Sequence, residues 1–520
     1  MKSRNVSGLA PTIVIGAGHN GLVCACYLAR AGRDVLVLEA SDRPGGGSRT
    51  EETVPGYRFD THSVAHNIIN MTSIPRELQL AEAGLDYREM DPFAIAVFAD
   101  GRRVRFHRSV ERTVASIAEI DAAEAEAYRV FMDEAMPLVG LVALGLQGGA
   151  TPRELSGRLL RRMPQAVGVL RRGGLRLASE LLGGYGTMLR HRLPSDLTRG
   201  PVSAFAAHAG AGPDLPGSAL FGFWQAVYHR YGQWHAAGGS QGLVDALARR
   251  LRQLGASVRC DARVTRIDAC SGRVRAVELA GGERIEAEAV VSAMHPATAL
   301  LDLLHPPLHG PSARDLAATH ASNSVQMLVH VAVDRLPPYT GARPGDHNGL
   351  QSFVDELDEL QAAFHAAESR RMHLPAPAYA FTTSALDGGL APPGHHTVYL
   401  ACPAAPFAVE GGWERAAPAV VESLLDQVET RAPGFRDSIQ GMSVRTPELM
   451  ARELRWPGAH PMHLDVTLDQ LGPLRPIPAL GSHRTPVRGM YVSGAGTAPS
   501  GGIAGGPGHG AARALLADLG

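Results

Sequence analysis

Three glycines near the amino terminus have a spacing that suits a bound phosphate group. Gly16, Gly18 and Gly21 follow an apolar run, residues 12–15, with the character of a strand buried on both faces. Gly16 permits a sharp turn, Gly18 lets backbone N–H groups approach a phosphate, and Gly21 lets the next helix pack close to the strand. The spacing therefore predicts a strand, a tight turn and a helix whose N-terminus binds a pyrophosphate.

An acidic residue at a suitable distance extends this pattern. The helix, residues 19–31, is followed by a second strand over residues 34–38, which leads to Glu39. A carboxylate there accepts hydrogen bonds from ribose hydroxyls and favours an unphosphorylated ribose, so that the dinucleotide is FAD or NAD rather than NADP. A second glycine cluster that includes Gly45 and Gly46 is predicted to pass beside the same cofactor. An ordinary surface loop is the alternative interpretation of that cluster.

These residues resemble the N-terminal signature of flavoproteins with two dinucleotide-binding domains, the superfamily of glutathione-reductase-like and amine-oxidase-like enzymes. Three further stretches resemble its phytoene desaturase-like branch: GYRFD at residues 56–60, the pair Gly238 and Gly239 ahead of a helix, and VSGAGTAP at residues 492–499. The resemblance covers both ends and the middle of the chain. It implies that FAD is the cofactor and that a discontinuous domain binds it.

The fold class that follows is α/β, with a Rossmann-like FAD-binding domain and a substrate domain of mixed sheet plus a helical cap. The FAD-binding domain is assigned to residues 1–90, 236–306 and 484–520. The substrate-binding domain is assigned to residues 91–235 and 307–483. With 520 residues the chain is too long for one hydrophobic core, so two domains are the natural expectation.

The resemblance also implies cofactor contacts in the later parts of the chain. Val264 lies near the point where backbone of such enzymes passes the adenine. The C-terminal segment is dense in glycine and leads into a helix, which suits close approach to a flat ring. The predicted contacts there are Gly494, Gly496, Gly502 and Ile503.

Hydrophobic periodicity predicts several further elements. An Asp-Gly turn indicates a hairpin over residues 93–106, and apolar residues recur at helical spacing over residues 112–135. A strong strand is predicted over residues 325–333, with residues 378–383 and 396–402 as its partners. The remaining predictions are a helix over residues 241–254 and strands over residues 257–268 and 282–291.

A run of aromatic residues precedes the return of the chain to the flavin domain. Related flavoproteins line the substrate cavity from the residues just upstream of this return, and aromatic rings there would form a flat apolar wall. The predicted substrate-binding residues are Tyr228, Tyr231 and Trp234, although core packing is an alternative for some of these rings.

Several histidines have the titration range of a catalytic base. The predicted catalytic residues are His235, His229 and His66, and His509 is a further candidate. His62 and His66 lie in a region that approaches the flavin ring in the resembling family. Each of these histidines alone is more often a surface or hydrogen-bonded core residue.

Composition excludes several other classes of function. A net charge of −1 and only 5% aromatic residues give no basis for binding nucleic acid. The five cysteines have no CxxC spacing, so neither a metal site nor a redox disulfide is predicted. No signal peptide is recognised, and no run reaches the about 18 apolar residues of a membrane span. A cytoplasmic location is therefore expected.

Residues 151–200 are rich in arginine, with leucine and valine between the charges. Such a surface suits peripheral contact with anionic lipid, which desaturases of lipophilic substrates use. A solvated arginine face on a helical cap is the alternative.

The only lysine is Lys2. Many amine oxidases of the superfamily hold a lysine near flavin N5, and Lys2 is badly placed for that role. We therefore predict an FAD-dependent dehydrogenase or desaturase that transfers hydride from a C–H of a small, largely apolar or heterocyclic substrate to flavin N5. Oxygen or a quinone is expected to reoxidise the flavin, because no second nicotinamide motif is found. The alternatives are a redox-neutral FAD-dependent isomerase, an amine or heterocycle oxidase of specialised metabolism, and a non-enzymatic binding protein.

Overall fold

The computed structural model describes residues 10–146, 157, 174, 176–177, 179–208 and 210–519. The strands are β1 (Thr12–Ile15), β2 (Val35–Leu38), β3 (Thr50–Val54), β4 (Tyr57–Asp60), β5 (Tyr87–Glu89), β6 (Ala94–Val97), β7 (Arg103–Phe106), β8 (Trp234–Ala236), β9 (Ser257–Arg259), β10 (Val264–Cys270), β11 (Arg273–Leu279), β12 (Arg284–Glu286), β13 (Ala289–Ser292), β14 (Leu304–His305), β15 (Ser324–Val333), β16 (Leu350–Ser352), β17 (Tyr379–Phe381), β18 (His396–Pro406), β19 (Ile439–Arg445) and β20 (Met490–Val492).

The α-helices of the described residues lie between and around these strands. They are α1 (His19–Arg30), α2 (Ile74–Glu77), α3 (Val110–Ala118), α4 (Ala122–Leu146), α5 (Tyr185–Arg192), α6 (Asp196–Ala207), α7 (Ala219–Gly222), α8 (Gln225–Tyr231), α9 (Gln241–Gln253), α10 (Pro311–Ala317), α11 (Leu357–Glu368), α12 (Trp413–Arg431), α13 (Pro447–Leu454) and α14 (Gly506–Leu519).

A five-stranded parallel sheet gathers strands from both ends and the middle of the chain. Its order is β20-β13-β1-β2-β9, and every neighbouring pair runs parallel. All four residues of β1 are buried, as expected for a strand that is covered on both faces. Helices α1, α9 and α14 share one hydrophobic core on this sheet. The α/β fold class predicted from the sequence is therefore confirmed.

A second, seven-stranded sheet carries the other large core of the chain. Its order is β19-β15-β18-β17-β16-β6-β7. It is mixed, because β16 runs parallel to β6 whereas the other neighbouring pairs are antiparallel. Helices α4, α6 and α8 cover one face of this sheet with apolar side chains. The hairpin predicted over residues 93–106 is present as β6 and β7.

Three sequence predictions of local structure are wrong in detail. The single helix over residues 112–135 is instead α3 and α4, because the Asp121 carboxylate accepts the backbone N–H groups of Ala123 and Glu124 and so caps a new helix. The strand over residues 257–268 is split between β9 and β10, which belong to different sheets. The strand over residues 282–291 is likewise split between β12 and β13.

Of the two segments predicted to pair with the long strand β15, one pairs with it directly and the other lies one strand further away. Strand β18 pairs directly with β15, whereas β17 pairs with β18 and lies one strand further away. The second direct partner of β15 is β19, whose half-exposed, polar residues gave no clear strand period.

The basic stretch over residues 151–200 lies largely outside the described residues. In its described part, Arg176 and Arg192 form ion pairs with Glu180, and Arg190 pairs with Asp358. Over the described ranges, no helix has the length and apolar character needed to cross a bilayer.

Candidate active site

A cavity of about 720 Å³ lies between the five-stranded and the seven-stranded sheets. Its volume is within the range of roughly 300–1,000 Å³ that is typical of small-molecule sites. One end is lined by the C-terminal ends of β1 and β2, and the other by side chains of β15 to β18. We call these ends the cofactor half and the substrate half.

Backbone forms most of the wall in the cofactor half. Gly16, Gly18 and Gly21 all line the cavity at the start of α1. Gly16 has a φ of +97°, which favours glycine, and a Cβ added to Gly21 would lie 2.0 Å from the Gly16 carbonyl oxygen. No atom lies within 4 Å of a Cβ added to Gly18, so that side of the turn faces open space. The turn therefore exposes the positive end of α1 to a bound anion.

Glu39 lies at the end of β2 on the same wall. One carboxylate oxygen accepts the Ala17 N–H at 2.8 Å, and the other accepts the Ser41 N–H at 2.9 Å. These two bonds hold the carboxylate towards the cavity while each oxygen keeps a further lone pair. Val264 lines the cavity nearby, as does Gly46. This arrangement suits a ribose with two free hydroxyls.

The C-terminal glycine segment reaches the same wall. Gly494, Gly502 and Ile503 line the cavity, and α14 then packs against α1. A Cβ added to Gly494 would lie 2.6 Å from the Ala293 carbonyl oxygen, so the close packing of β20 against the next turn requires glycine. The two glycine-rich segments, nearly 500 residues apart in sequence, thus converge on one site.

Two of the predicted cofactor contacts lie behind the cavity wall. Gly45 forms a bridge with Gly18, and a Cβ on Gly45 would lie 2.4 Å from the Arg49 Cγ. A Cβ on Gly496 would lie 2.7 Å from the Pro296 Cδ. Both positions need glycine for packing, and neither belongs to the lining of the cavity. For the predicted residues that do line it, contact with FAD stays a prediction.

Several buried polar atoms around the cavity have no protein partner among the described residues. Seven such atoms belong to lining side chains: Asn20 Oδ1, Arg49 Nε, His62 Nε2, Asn67 Oδ1, His208 Nε2, Gln233 Oε1 and His463 Nδ1. An unpaired buried polar atom is costly, so these atoms indicate that a polar ligand completes the site. Together with the glycine turn and Glu39, they fit a large dinucleotide that carries a polar ring system.

Side chains form the wall of the substrate half, and most of them are apolar or aromatic. Tyr228 stacks on Phe93 with ring centroids 5.2 Å apart and packs edge-on against Phe205 at 5.3 Å. Burial raises the pKa of the Tyr228 hydroxyl, which stays neutral. The principal rings of this wall are Phe205, Trp224, Tyr228, Tyr379, Phe381 and Tyr399. The half is suited to a largely apolar molecule.

Of the three predicted substrate-binding residues, the cavity wall contains only Tyr228. Tyr231 and Trp234 lie outside the lining. The Trp234 indole N–H donates to the Tyr231 carbonyl oxygen at 2.7 Å, and the two rings face Arg108 and Arg230 respectively. The sequence could not separate these positions, because α8 ends at Tyr231 and the next strand begins a different sheet.

The predicted catalytic histidines His66 and His229 do not line the cavity. The His66 ring nitrogens lie 2.8 Å from the Tyr87 hydroxyl and 3.0 Å from the Ser240 hydroxyl. His229 Nε2 lies 2.8 Å from the Tyr128 hydroxyl. Burial lowers the pKa of His66 to about 3 and that of His229 to about 4. Both are hydrogen-bonded core residues, and this placement argues against direct proton removal.

His235 is also placed away from the cavity. It is fully buried on β8, and its Nε2 lies 3.3 Å from the Asp387 carboxylate. The hydrogen bond from His235, together with the Gly238 N–H, lowers the pKa of Asp387. This pair therefore ties β8 to the turn after β17. A catalytic role for His235 stays a prediction that its position does not favour.

The sequence reasoning missed a wall segment of short turns between α13 and β20. Trp456 lines the cavity, and its ring lies 2.6 Å from where a Gly47 Cβ would be. His62 lies across from it, with ring centroids 5.2 Å apart, and His463 lies on its other side at 5.1 Å. Burial, with the charges of Arg445 and Arg49, lowers the pKa of His62 to about 3. Irregular turns have no hydrophobic period, so no signal marked this segment in advance.

Among the described residues, no group of three or more His, Cys, Asp or Glu side chains is arranged to hold a metal ion. The five cysteines are free thiols, and Cys24, Cys26 and Cys402 are buried. Burial raises the pKa of the Cys26 thiol to about 12. The three buried thiols are therefore packing groups.

Comparison with known proteins agrees with this geometry. A family model described as flavin containing amine oxidoreductase matches residues 21–510. The chain is 30% identical to the mouse pyridine nucleotide-disulfide oxidoreductase domain-containing protein 2, over 98% of this chain and 93% of the mouse protein. It is 26% identical to the lycopene-forming phytoene desaturase of Pantoea ananas, over 98% of this chain and 100% of that enzyme.

A solved structure of putrescine oxidase bound to putrescine shares the fold, with a TM-score of 0.60 at 16% identity over 98% of this chain and 99% of that one. Since the family model spans nearly all of the chain and two distant glycine segments meet at one cavity, this protein belongs to the flavin containing amine oxidoreductase family and is an FAD-dependent oxidoreductase related to phytoene desaturases.

Proposed function

We propose that this protein is a dehydrogenase or desaturase that removes a hydride from a C–H of a largely apolar organic substrate and delivers it to flavin N5. The observation that carries the proposal is the continuity of the cavity. Its cofactor half meets a substrate half walled by aromatic rings, without an intervening layer of protein. A relative at 26% identity is named a phytoene desaturase, and phytoene is an apolar molecule.

The charges of the cavity argue against a cationic amine as the substrate. Among the described lining residues, the carboxylates are Glu39, at the cofactor end, and Glu453. Glu453 is paired with the Arg445 guanidinium, so neither acid is left to bind an ammonium group in the substrate half. Lys2, the only lysine, precedes the described residues. Likeness to putrescine oxidase therefore concerns the fold, and the substrate is proposed to be uncharged.

The roles of individual residues follow from their positions. Bound FAD supplies the hydride-accepting ring. The turn from Gly16 to Gly21 and the Glu39 carboxylate would hold its pyrophosphate and ribose, and the segment from Gly494 to Ile503 would lie along its ring. The aromatic wall orients the substrate and excludes water, which favours a step that moves charge.

Reoxidation of FAD is proposed to use oxygen or a quinone. The mouse relative has a name that refers to pyridine nucleotides and disulfides, but this chain has no CxxC motif. All five cysteines are free, and each of the three buried ones lies in a packed core. A dithiol relay to the flavin is therefore not part of the proposal.

The test is anaerobic reduction of the purified, FAD-loaded protein, which is monitored as the loss of flavin absorbance. The probes are phytoene in detergent, putrescine and NADPH. We expect bleaching by phytoene or a shorter polyene, with a product that has lost two hydrogens, and no bleaching by putrescine. Rapid bleaching by NADPH or putrescine would refute the proposal. A rearranged product without loss of hydrogen would instead identify a redox-neutral isomerase.

A further inference from the structure

Arg475 is a fully buried cation in the irregular wall segment between α13 and β20, with 0% of its surface exposed. Its Nη1 donates to the carbonyl oxygens of Asp465 and Gln470 at 2.8 Å each. Its Nε and Nη2 donate to the Ala495 carbonyl oxygen at 3.2 and 3.1 Å. Nη2 also reaches the carbonyl oxygen of Leu464 at 3.2 Å and that of Met462.

The charge of this guanidinium is not neutralised by an ion pair. Within the described ranges no carboxylate forms a salt bridge with Arg475, and its hydrogen-bond acceptors are backbone carbonyl groups. The Asp465 carboxylate instead accepts the Ser322 N–H at 2.8 Å and lies 3.4 Å from His460 Nε2. Burial lowers the pKa of Arg475 only to about 10, so the group remains a cation at neutral pH.

The carbonyl groups that Arg475 binds belong to the cavity wall. Ala495 and Met462 both line the cavity, next to the glycine segment that begins at Gly494. Two lining histidines, His295 and His463, have pKa values lowered mainly by burial and in part by the charge of Arg475. They stay neutral at physiological pH, so neither histidine adds a second positive charge beside Arg475.

We propose that Arg475 is a positioning residue for the flavin, whose buried charge raises the reduction potential of bound FAD and whose hydrogen bonds hold the Ala495 turn against the ring. The proposal concerns the cofactor and does not depend on which substrate is oxidised.

The physical reason is the charge that reduction creates. Hydride transfer to a bound flavin would add two electrons and one proton, and therefore one negative charge, to its ring system. A permanent cation in a low-dielectric wall stabilises that charge more than bulk water would, because it is already in place and needs no reorganisation. Carbonyl dipoles around Arg475 keep the cation buried without supplying a counter-charge.

The test measures the midpoint potential of bound FAD, by anaerobic equilibration with a reference dye, in three variants. Arg475→Gln removes the charge, Arg475→Lys keeps the charge but loses most of the hydrogen bonds, and Asp465→Asn removes the nearby negative charge. In Arg475→Gln we expect the equilibrium constant for FAD reduction to fall about tenfold, which is about 30 mV for a two-electron couple. Arg475→Lys should lower the potential by less than half as much as Arg475→Gln does. Asp465→Asn should raise the potential.

Arg431→Gln is the matched control, because Arg431 is also buried, binds backbone carbonyl groups and lies outside the cavity wall. Its loss should lower stability and leave the potential unchanged. If Arg475→Gln and Arg475→Lys shifted the potential equally, the role would be structural and the proposal overturned. If Arg475→Gln failed to retain FAD, unchanged potentials in both Arg475→Lys and Asp465→Asn would overturn it equally well.

Discussion

The cofactor half of the cavity is a surface of backbone, whereas the substrate half is a surface of side chains. In the first, a Cβ added to Gly21 or Gly494 would come within 2.6 Å of a backbone carbonyl oxygen, and Gly16 has a φ of +97° that favours glycine. In the second, rings such as Tyr228 and Tyr379 are contributed by a helix and a strand that lie far apart in sequence. The cofactor half therefore tolerates little added volume at these glycines. The substrate half can change its shape when its side chains are substituted.

This difference separates the shared chemistry from the particular substrate. A dinucleotide presents the same phosphates and ring in every relative, so a wall of backbone can serve an entire family. Substrates differ, and aromatic side chains can be exchanged without disturbing the fold. The likeness to both a phytoene desaturase and a putrescine oxidase fits such a division.

The largest effect is expected from Gly21→Ala. The added Cβ would lie 2.0 Å from the Gly16 carbonyl oxygen, which is backbone and cannot move aside. We expect a loss of about 3 kcal/mol or more in the free energy of unfolding, and near-complete loss of bound FAD. Flavin absorbance per polypeptide and denaturant unfolding measure the two effects.

Gly281→Ala is the control, because nothing lies within 4 Å of a Cβ there and the backbone does not require glycine. It should stay within about 0.5 kcal/mol of the parent. Full FAD content in Gly21→Ala would show that the cofactor half is not the rigid backbone surface described above.

The next effect concerns Glu39, the carboxylate that lines the cofactor half. Glu39→Gln removes a charged acceptor held by the N–H groups of Ala17 and Ser41. Because a hydrogen bond to a charged group contributes about 1.5–3 kcal/mol, the dissociation constant of FAD should rise at least about tenfold. Titration of the apoprotein, followed by flavin fluorescence, measures it. FMN lacks the adenosine, and an equal loss for FMN would contradict the assignment of Glu39 to the ribose.

A third prediction concerns His66, which is buried outside the cavity wall between Tyr87 and Ser240. Its pKa is about 3 in the folded protein and about 6.5 when unfolded. Below pH 6.5 the unfolded chain therefore binds a proton that the folded protein does not, and stability falls as the pH decreases towards 3. Between pH 7 and pH 5 the loss from this residue is about 2 kcal/mol.

Denaturant unfolding of His66→Gln at both pH values tests this. The variant should lose less stability on acidification than the parent, whereas His309→Gln, at an exposed position, should behave like the parent. An unchanged loss in His66→Gln would mean that other groups dominate the acid sensitivity.

The smallest effect separates two tyrosines that the sequence treated alike. Tyr228→Leu removes a ring from the cavity wall, and Tyr231→Leu removes one outside it. An aromatic contact contributes about 1 kcal/mol, so KM for the polyene probe should change about fivefold in the first variant and little in the second. Both should keep their FAD. An equal change of KM in both variants would contradict the assignment of Tyr228 to the cavity wall and of Tyr231 to a position outside it.

Elements with a strict local period were well predicted from the sequence. The first strand has the predicted residues, and the helices α1 and α9 differ from the prediction by one residue at one end. Their apolar residues, glycine turns and caps are all close in sequence, so local rules suffice. The helix over residues 112–135 failed because the cap at Asp121 competes with a period that continues through it.

The candidate site divides in the same way. Glycine spacing and the following acid predicted contacts with a cofactor, and Gly16, Gly18, Gly21 and Glu39 do line the cavity, although contact with FAD stays a prediction. The histidines were chosen by titration range alone, and His66, His229 and His235 are instead bonded within the core. Which ring nitrogen faces a cavity depends on neighbours that are distant in sequence.

By itself the sequence determined the dinucleotide fold, the cofactor and the family, because glycine positions and strand-helix periods encode the backbone directly. The position of Tyr228 in the wall, and its completion by Trp456 and His463, follow from how distant segments pack together. The tertiary structure also placed the Arg475 cation, which forms no ion pair within the described ranges, behind that wall. Such features arise where separate segments meet, and their burial and charge depend on the whole packing rather than on any local pattern.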